Sequence, residues 1–272
     1  MLHFVSIATS EGGCLPYLRQ SFDRFNCPLT VLGLGKKWRG FGWRWLLIEE
    51  FLKDKEDDDI VCHIDAYDVM LVRDPKEGLV EKFQELTAHS GLKFLVSRET
   101  IATLMVEYWL TYCSFFTPVD GVFPNAGTWI ATKRDFLKFM RMIRLEPKYD
   151  FSARADDQVI LSKFISLNRD LIQLDMLSEI FFVNTSPFFG FYWNDLAKVN
   201  TKSKKFSYDG FKPYIVHGPG KTNMAQFIQD LGYQMTEKDI EWCGKQQKKY
   251  FILFAIVVLL LSLIPIYYLR RR

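Results

Sequence analysis

The sequence predicts an α/β protein, a mostly parallel sheet with flanking helices, followed by a C-terminal transmembrane helix. Three observations carry that prediction. Short β-branched and aromatic runs alternate with stretches of helical spacing, the order expected of strand–helix–strand crossovers. With 272 residues, 49% hydrophobic and 16% aromatic, the chain can bury one substantial core. Its last apolar run, FILFAIVVLLLSLIPIYYL over 251–269, carries no charge.

Taken in order, LHFVSIAT reads as a first strand, GCLPYLRQSFDRF as a helix, PLTVLGLG as a second strand, WRWLLIEEFLKDK as a second helix and DIVCHID as a third strand. This is a βαβαβ unit. Asp74-Pro75-Lys76-Glu77 combines a capping acid, proline at the first helical position and an acid at the third, so a helix running through LVEKFQEL is expected to start there. KFLVSRE and GTWIAT follow as strands, RDFLKFMRMIRL and DDQVILSKFI as helices, and LIQLDML and PYIVHG as later strands. The basic stretch TKSKKFSYDGFKP, 201–213, is expected to be a solvated loop. In such folds ligands bind at the carboxyl ends of the parallel strands.

The apolar run divides the chain into a body, 1–245, and a membrane anchor with a basic tail, 246–272. As a helix, 251–269 would be roughly 28 Å long, close to the hydrocarbon thickness of a bilayer. Lys245, Lys248 and Lys249 precede it and Arg270, Arg271 and Arg272 follow. No basic region followed by a long apolar stretch opens the chain, so a tail anchor with the body in the cytosol is expected. In the opposite orientation Asn184-Thr185-Ser186 would be a glycosylation acceptor.

Charge excludes one class of function. The 35 Lys and Arg against 32 Asp and Glu leave a formal +3, which the three terminal arginines account for, so the body lacks the basic surface of a nucleic-acid binder. The five cysteines, Cys14, Cys27, Cys62, Cys113 and Cys243, contain no CxxC pair, which points to reduced thiols and away from a disulfide scaffold.

Asp65 and Asp68, in HIDAYDVML, stand three apart where the third strand leaves the core. On a continuous strand they would point to opposite faces, so they converge only if the chain bends at Ala66 and Tyr67. Two converging carboxylates repel an anionic ligand unless a divalent cation lies between them. Oxygen donors favour Mg²⁺ or Mn²⁺, which commonly combine one or two carboxylates with substrate phosphates. The competing reading is an ordinary pair of turn and capping acids.

Six blocks occur in one order: SIATSEGGCLPYLRQSFDRFN with LTVLGLGKKWRG, then HIDAYDVML, FPNAGTWIAT, ADDQVILSKF, LDMLSEIF and PYIVHGPGKTN. Over roughly residues 4–235 they resemble the glycosyltransferase domain of the procollagen lysyl hydroxylase and glycosyltransferase family. The resemblance implies the GT-A fold, a UDP-sugar donor bound through Mn²⁺ and transfer of glucose or galactose to a protein or glycan acceptor. It makes Asp65, Asp68 and His217 the metal ligands. Thr9, Trp38, Tyr67, Asp65, Gly218, Gly220 and Lys221 then fall on the nucleotide side, and Asp156, Asp157 and Asn125 fall beside the transferred sugar. For several of these a plainer role competes: Asp156 and Asp157 as first-turn helix acids, Asn125 as a turn residue, Trp38 as packing. Departures from the family are the short GFGWRW segment after the second strand, Ala126 in place of a hydroxyl, and the loop 99–113 with Trp109. Loss of metal binding would leave a catalytically silent, membrane-anchored domain that binds a glycan or a partner. A nucleotidyl or phosphoryl transferase using the same acids lacks support, since the chain has no GxxxxGK[ST] loop.

Overall fold

The computed structural model describes residues 1–101, 116–185, 191–193, 196–220, 222–245 and isolated positions beyond 245. The described residues include eleven strands: β1 (Leu2–Ile7), β2 (Leu29–Leu32), β3 (Ile60–Asp65), β4 (Val69–Leu71), β5 (Phe94–Ile101), β6 (Pro124–Thr132), β7 (Gln173–Leu174), β8 (Phe181–Thr185), β9 (Ala197–Asn200), β10 (Lys205–Tyr208) and β11 (Ile215–His217). The principal helices are α1 (Leu15–Asp23), α2 (Gly42–Phe51), α3 (Leu79–Leu86), α4 (Lys133–Leu145), α5 (Asp157–Leu167) and α6 (Ala225–Asp230). A further helix occupies 237–245.

Nine strands form one sheet in the order β2-β1-β3-β6-β5-β8-β11-β4, with β7 beside β5. β2, β1 and β3 run parallel, as do β5, β8 and β11, while β6 is antiparallel to β3 and β5, and β4 antiparallel to β11. The sheet is therefore mostly parallel, as expected. Its central strands are buried: β6 and β8 have no exposed residue. Trp129 of β6 stacks on Phe136 of α4 with ring centroids 4.9 Å apart, and Phe139 meets Phe94 and Phe164 edge to face. Each such pair adds about 0.5–1.5 kcal/mol beyond its buried area.

Four local expectations are corrected. Asp74 does not start α3: its side chain accepts from the Lys76 amide at 2.9 Å and closes a turn, and the helix begins after Gly78, whose φ of 91° breaks the run. The stretch 201–213 is not wholly loop, since β10 pairs with β9 in a separate hairpin that buries Phe206. LIQLDML contributes only β7, because Asp175 draws the chain into a turn. Asn184 is buried in β8 and its amide donates to the Phe191 carbonyl, so it is not an accessible glycan acceptor.

Among the described residues no helix is long and apolar enough to cross a membrane. Most of the anchor, 246–272, lies outside the described residues. So do Lys221 and the loop positions 102–113, which include Trp109. The helix over 237–245 packs on the body, burying Cys243 beside Met224 and Phe227 in one apolar cluster.

Candidate active site

The carboxyl ends of β1, β2, β3, β8 and β11 meet the start of the antiparallel β6, and every described candidate residue lies on this edge. β3 ends at Asp65, the chain bends through 66–68, and β4 begins at Val69. The anticipated bend is there. β4 then pairs with β11, setting His217 opposite Val69, and the Gly218 amide donates to the Asp68 carbonyl at 2.9 Å. A residue 149 positions downstream of Asp68 is thereby fixed beside it by backbone hydrogen bonds.

Asp65, Asp68 and His217 each offer a ligand atom, and these atoms lie within 4.8 Å of one another. His217 Nε2 is 3.4 Å from Asp68 Oδ1 and 3.7 Å from Asp65 Oδ2. The histidine is 1% exposed, and neither ring nitrogen makes a hydrogen bond of normal geometry. Buried polar atoms are rarely left so, and a bound ion is one explanation. Gly127 in β6 backs directly onto the cluster: a Cβ there would collide with His217 Cε1 and stand 2.5 Å from Asp65 Oδ2. Two carboxylates and one imidazole suit a divalent cation of the Mn²⁺ or Mg²⁺ kind, so the residues present fit the metal that the sequence implied. Burial lowers the His217 pKa and the Asp68 and Asp65 carboxylates raise it; the carboxylates prevail and hold it above the ordinary imidazole value.

Behind the cluster lies an ion pair that the sequence reading missed. Arg44, buried in α2, donates through Nε to Asp157 Oδ2 at 3.0 Å and through Nη1 to Asp65 Oδ1. The GFGWRW segment makes this possible. The Gly42 and Trp43 amides donate to the Ala155 and Ala153 carbonyls at 2.9 Å, and a Cβ on Gly42 would strike the Ser152 carbonyl oxygen. That close approach sets the first turn of α2 against the start of α5. Burial pushes Asp157 up to about 6, with Arg44 opposing the shift. Asp156 and Asp157 thus divide their roles: Asp156 caps α5, accepting from the Gln158 and Val159 amides at 3.0 and 3.1 Å, while Asp157 is turned inward to Arg44.

Asn125 is also tied down. Its amide donates to Glu99 Oε1 at 2.7 Å, and its carbonyl oxygen accepts from the Gly127 amide at 2.9 Å. Glu99, 1% exposed, accepts further from Thr185 and from Gln158 at 3.4 Å. Burial raises its pKa, with Thr185 and Asn125 resisting. Arg44 did leave a signal as a charged residue in an otherwise apolar run, WRWLLI, whereas Glu99 stands beside Ser97, Arg98 and Thr100 in FLVSRETI and left none.

Among the residues that the resemblance put on the nucleotide side, the Tyr67 hydroxyl accepts from the Thr9 and Ser10 amides at 3.2 Å and joins the β3–β4 bend to the loop after β1. The Gly35 amide donates to the Thr9 carbonyl at 3.2 Å, linking that loop to the one carrying Trp38. Trp38 is 41% exposed and meets Phe41 and Trp43 edge to face. Gly218 is buried against Met224, while Gly220 has φ 72° and open space where a side chain would be. A cavity of ≈ 240 Å³ reaches in beside Asp68, lined by Tyr67, Gly220, Thr222 and Trp242 among others.

The family described as PLOD GT domain matches residues 1–238. The chain is 28% identical over 241 residues to the multifunctional procollagen lysine hydroxylase and glycosyltransferase LH3 of Homo sapiens, covering 81% of this chain and 30% of that protein. It is 24% identical over 277 residues to the multifunctional procollagen lysine hydroxylase and glycosyltransferase of Caenorhabditis elegans, covering 90% and 34%. The chain spans about a third of the length of these curated relatives. Among solved structures, a glycosyltransferase involved in glycosylation of the major capsid of PBCV-1 gives a TM-score of 0.48 at 10% identity, covering 85% of this chain and 98% of that one. The galactosyltransferase LgtC gives 0.46 at 16% identity, covering 90% and 100%. With its match extending over residues 1–238, the chain belongs to the PLOD GT domain family of glycosyltransferase domains.

Proposed function

We propose that this protein is a metal-dependent GT-A glycosyltransferase that moves a hexose, glucose or galactose, from a UDP-sugar to a protein or glycan acceptor. The observation that carries the proposal is the convergence of Asp65, Asp68 and the hydrogen-bond-deficient His217 at the carboxyl edge of the sheet. These three residues would hold Mn²⁺ or Mg²⁺, which when bound supplies Lewis-acid stabilisation of the charge developing on a departing diphosphate. Arg44 keeps Asp65 and Asp157 oriented and neutralised. Asp157, Asp156 and Asn125 form the sugar side, with Glu99, itself bonded by Gln158, fixing the Asn125 amide. Thr9, Tyr67 and Trp38 form the nucleoside side, where an exposed indole suits a uracil face. Gly218 and Gly220 let backbone approach the diphosphate, and the resemblance assigns a phosphate-contacting cation to Lys221, the next residue in sequence.

Incubating the full chain with UDP-glucose or UDP-galactose and Mn²⁺ tests the proposal. The expected result is UDP release that EDTA suppresses. A folded protein that releases no UDP from either donor and does not bind UDP overturns it in favour of the silent binding domain.

Residues 251–269 are proposed to anchor the chain in a membrane by its C-terminus, with 1–245 on the cytosolic side; the support is the uncharged run between basic flanks. Carbonate-resistant membrane association that is lost on deletion of 246–272 is expected. Extraction of the intact chain by carbonate would remove the anchor from the account.

A further inference from the structure

Cys14 and Cys243 stand 229 residues apart in sequence, yet their sulfurs lie 3.6 Å apart as free thiols. Cys14 ends the loop after β1 and directly precedes α1; Cys243 lies on the helix over 237–245. They are 1% and 3% exposed. Contacts independent of the sulfurs hold this helix in place. Thr236 Oγ1 accepts from the Asp239 amide at 3.2 Å as its N-cap. The Tyr17 hydroxyl, from α1, donates to Asp239 Oδ2 at 2.7 Å and accepts from the Thr236 amide at 3.0 Å. Trp242 lies over Gly13, leaving only 3.1 Å to where a Cβ would stand. Both thiols also line the ≈ 240 Å³ cavity beside Asp68, whose wall includes the exposed Gly220. The pair is therefore docked, mutually in contact and open to a small reagent through that cavity.

We propose that Cys14 and Cys243 form a reversible disulfide that latches the helix over 237–245 to the start of α1, across the Asp68 side of the candidate site. The oxidant is a low-molecular-weight disulfide. The Cys243 thiolate attacks one of its sulfurs, breaking the S–S bond and expelling one thiolate. The Cys14 sulfur then attacks Cys243 Sγ in the mixed disulfide and expels the second. Two protein thiols are oxidised, one external disulfide is reduced to two thiols, and the two protein protons pass to the departing thiolates. The hydrogen bond between the sulfurs favours this order, since it lowers the Cys243 pKa and raises that of Cys14. Bond formation brings the sulfurs to about 2.0 Å, a displacement of the size a side-chain rotation supplies. The latch does not depend on the transferase reading.

The test uses the full chain, exposed under native conditions to oxidised glutathione, then alkylated, digested and mapped by mass spectrometry. The expected result is a peptide linking Cys14 to Cys243, its loss on treatment with dithiothreitol, and a Tm higher by roughly 5–10 °C in the oxidised form. Cys14→Ser and Cys243→Ser should each abolish the linked peptide and the shift. Should a variant fail to fold, the peptide map of the unmodified chain decides alone. Absence of the linked peptide from folded, oxidised protein overturns the proposal, as does a link that appears only in denaturant.

Discussion

Two carboxylate neighbourhoods of this protein differ in burial and in what their oxygens touch. Asp175, fully buried in the turn before β8, accepts from the Glu179 amide through Oδ1 at 2.8 Å and from the Ile180 and Phe181 amides through Oδ2 at 2.8 and 2.7 Å. Its acceptors are filled by three backbone amides that follow closely in the chain, so it shapes a turn. Asp65 and Asp68 instead face each other and a histidine, Asp65 remains 25% exposed, and the histidine nitrogens have no normal hydrogen bond. Filled acceptors mark a carboxylate that organises the fold, and open ones a carboxylate with capacity left for a ligand.

That contrast can be broken at its functional end first. Asp68→Ala should lower metal-dependent UDP release by about 100-fold or more, because it removes part of the transition-state charge stabilisation, typically several kcal/mol. Its Tm should stay within about 2 °C of the parent, since among the described residues no backbone amide donates to that side chain. Full activity in this variant would put the metal elsewhere.

Gly127→Ala comes next. The added methyl would press on His217 Cε1 and Asp65 Oδ2, so Mn²⁺ affinity measured by calorimetry should fall about tenfold, by analogy with losses of outer-sphere support. Unchanged affinity would show that the cluster opens away from β6 before it binds metal.

At the structural end, Asp175→Ala should leave Mn²⁺ affinity alone and lower the Tm by roughly 5 °C at pH 4–5, because amides of Glu179, Ile180 and Phe181 lose their acceptor. A loss of metal binding in this variant would erase the distinction between the two neighbourhoods.

The smallest effect is the pH dependence of that deficit. Burial raises the Asp175 pKa from 3.8 to about 6, with the three amides opposing. The folded state binds this proton more tightly than the unfolded chain, so the associated stability is fully present below pH 3.8 and is lost as pH rises through about 6. The Tm gap between the parent and Asp175→Ala should therefore narrow by a few degrees over that window, and a constant gap would mean that Asp175 titrates normally.

Much of the fold was legible because its signals are local. The βαβαβ opening, α4, with its amphipathic spacing and a Thr132 cap accepting from the Asp135 amide, and the bend between Asp65 and Asp68 all followed from residues near one another. Asp74-Pro75 misled for the opposite reason: a cap is a local preference, and Gly78 supplied a stronger break three residues into the expected helix. Arg44 and Glu99 were passed over since a charge within a strand or helix acquires meaning only when its partner, Asp157 or Asn125, arrives from a distant segment.

By itself the sequence determined the alternation of strands and helices, the family, the acids at the end of β3 and the uncharged run at 251–269. Periodicity, spacing and turn chemistry are written into consecutive residues. Only the tertiary structure decided that β6 enters the sheet antiparallel between β3 and β5, that β4 and β11 pair to bring His217 to Asp68, and that the Asp156–Asp157 pair splits into a cap and an ion pair. Strand neighbours and buried charge partners are chosen by packing between segments far apart in the chain, where no local pattern records the choice.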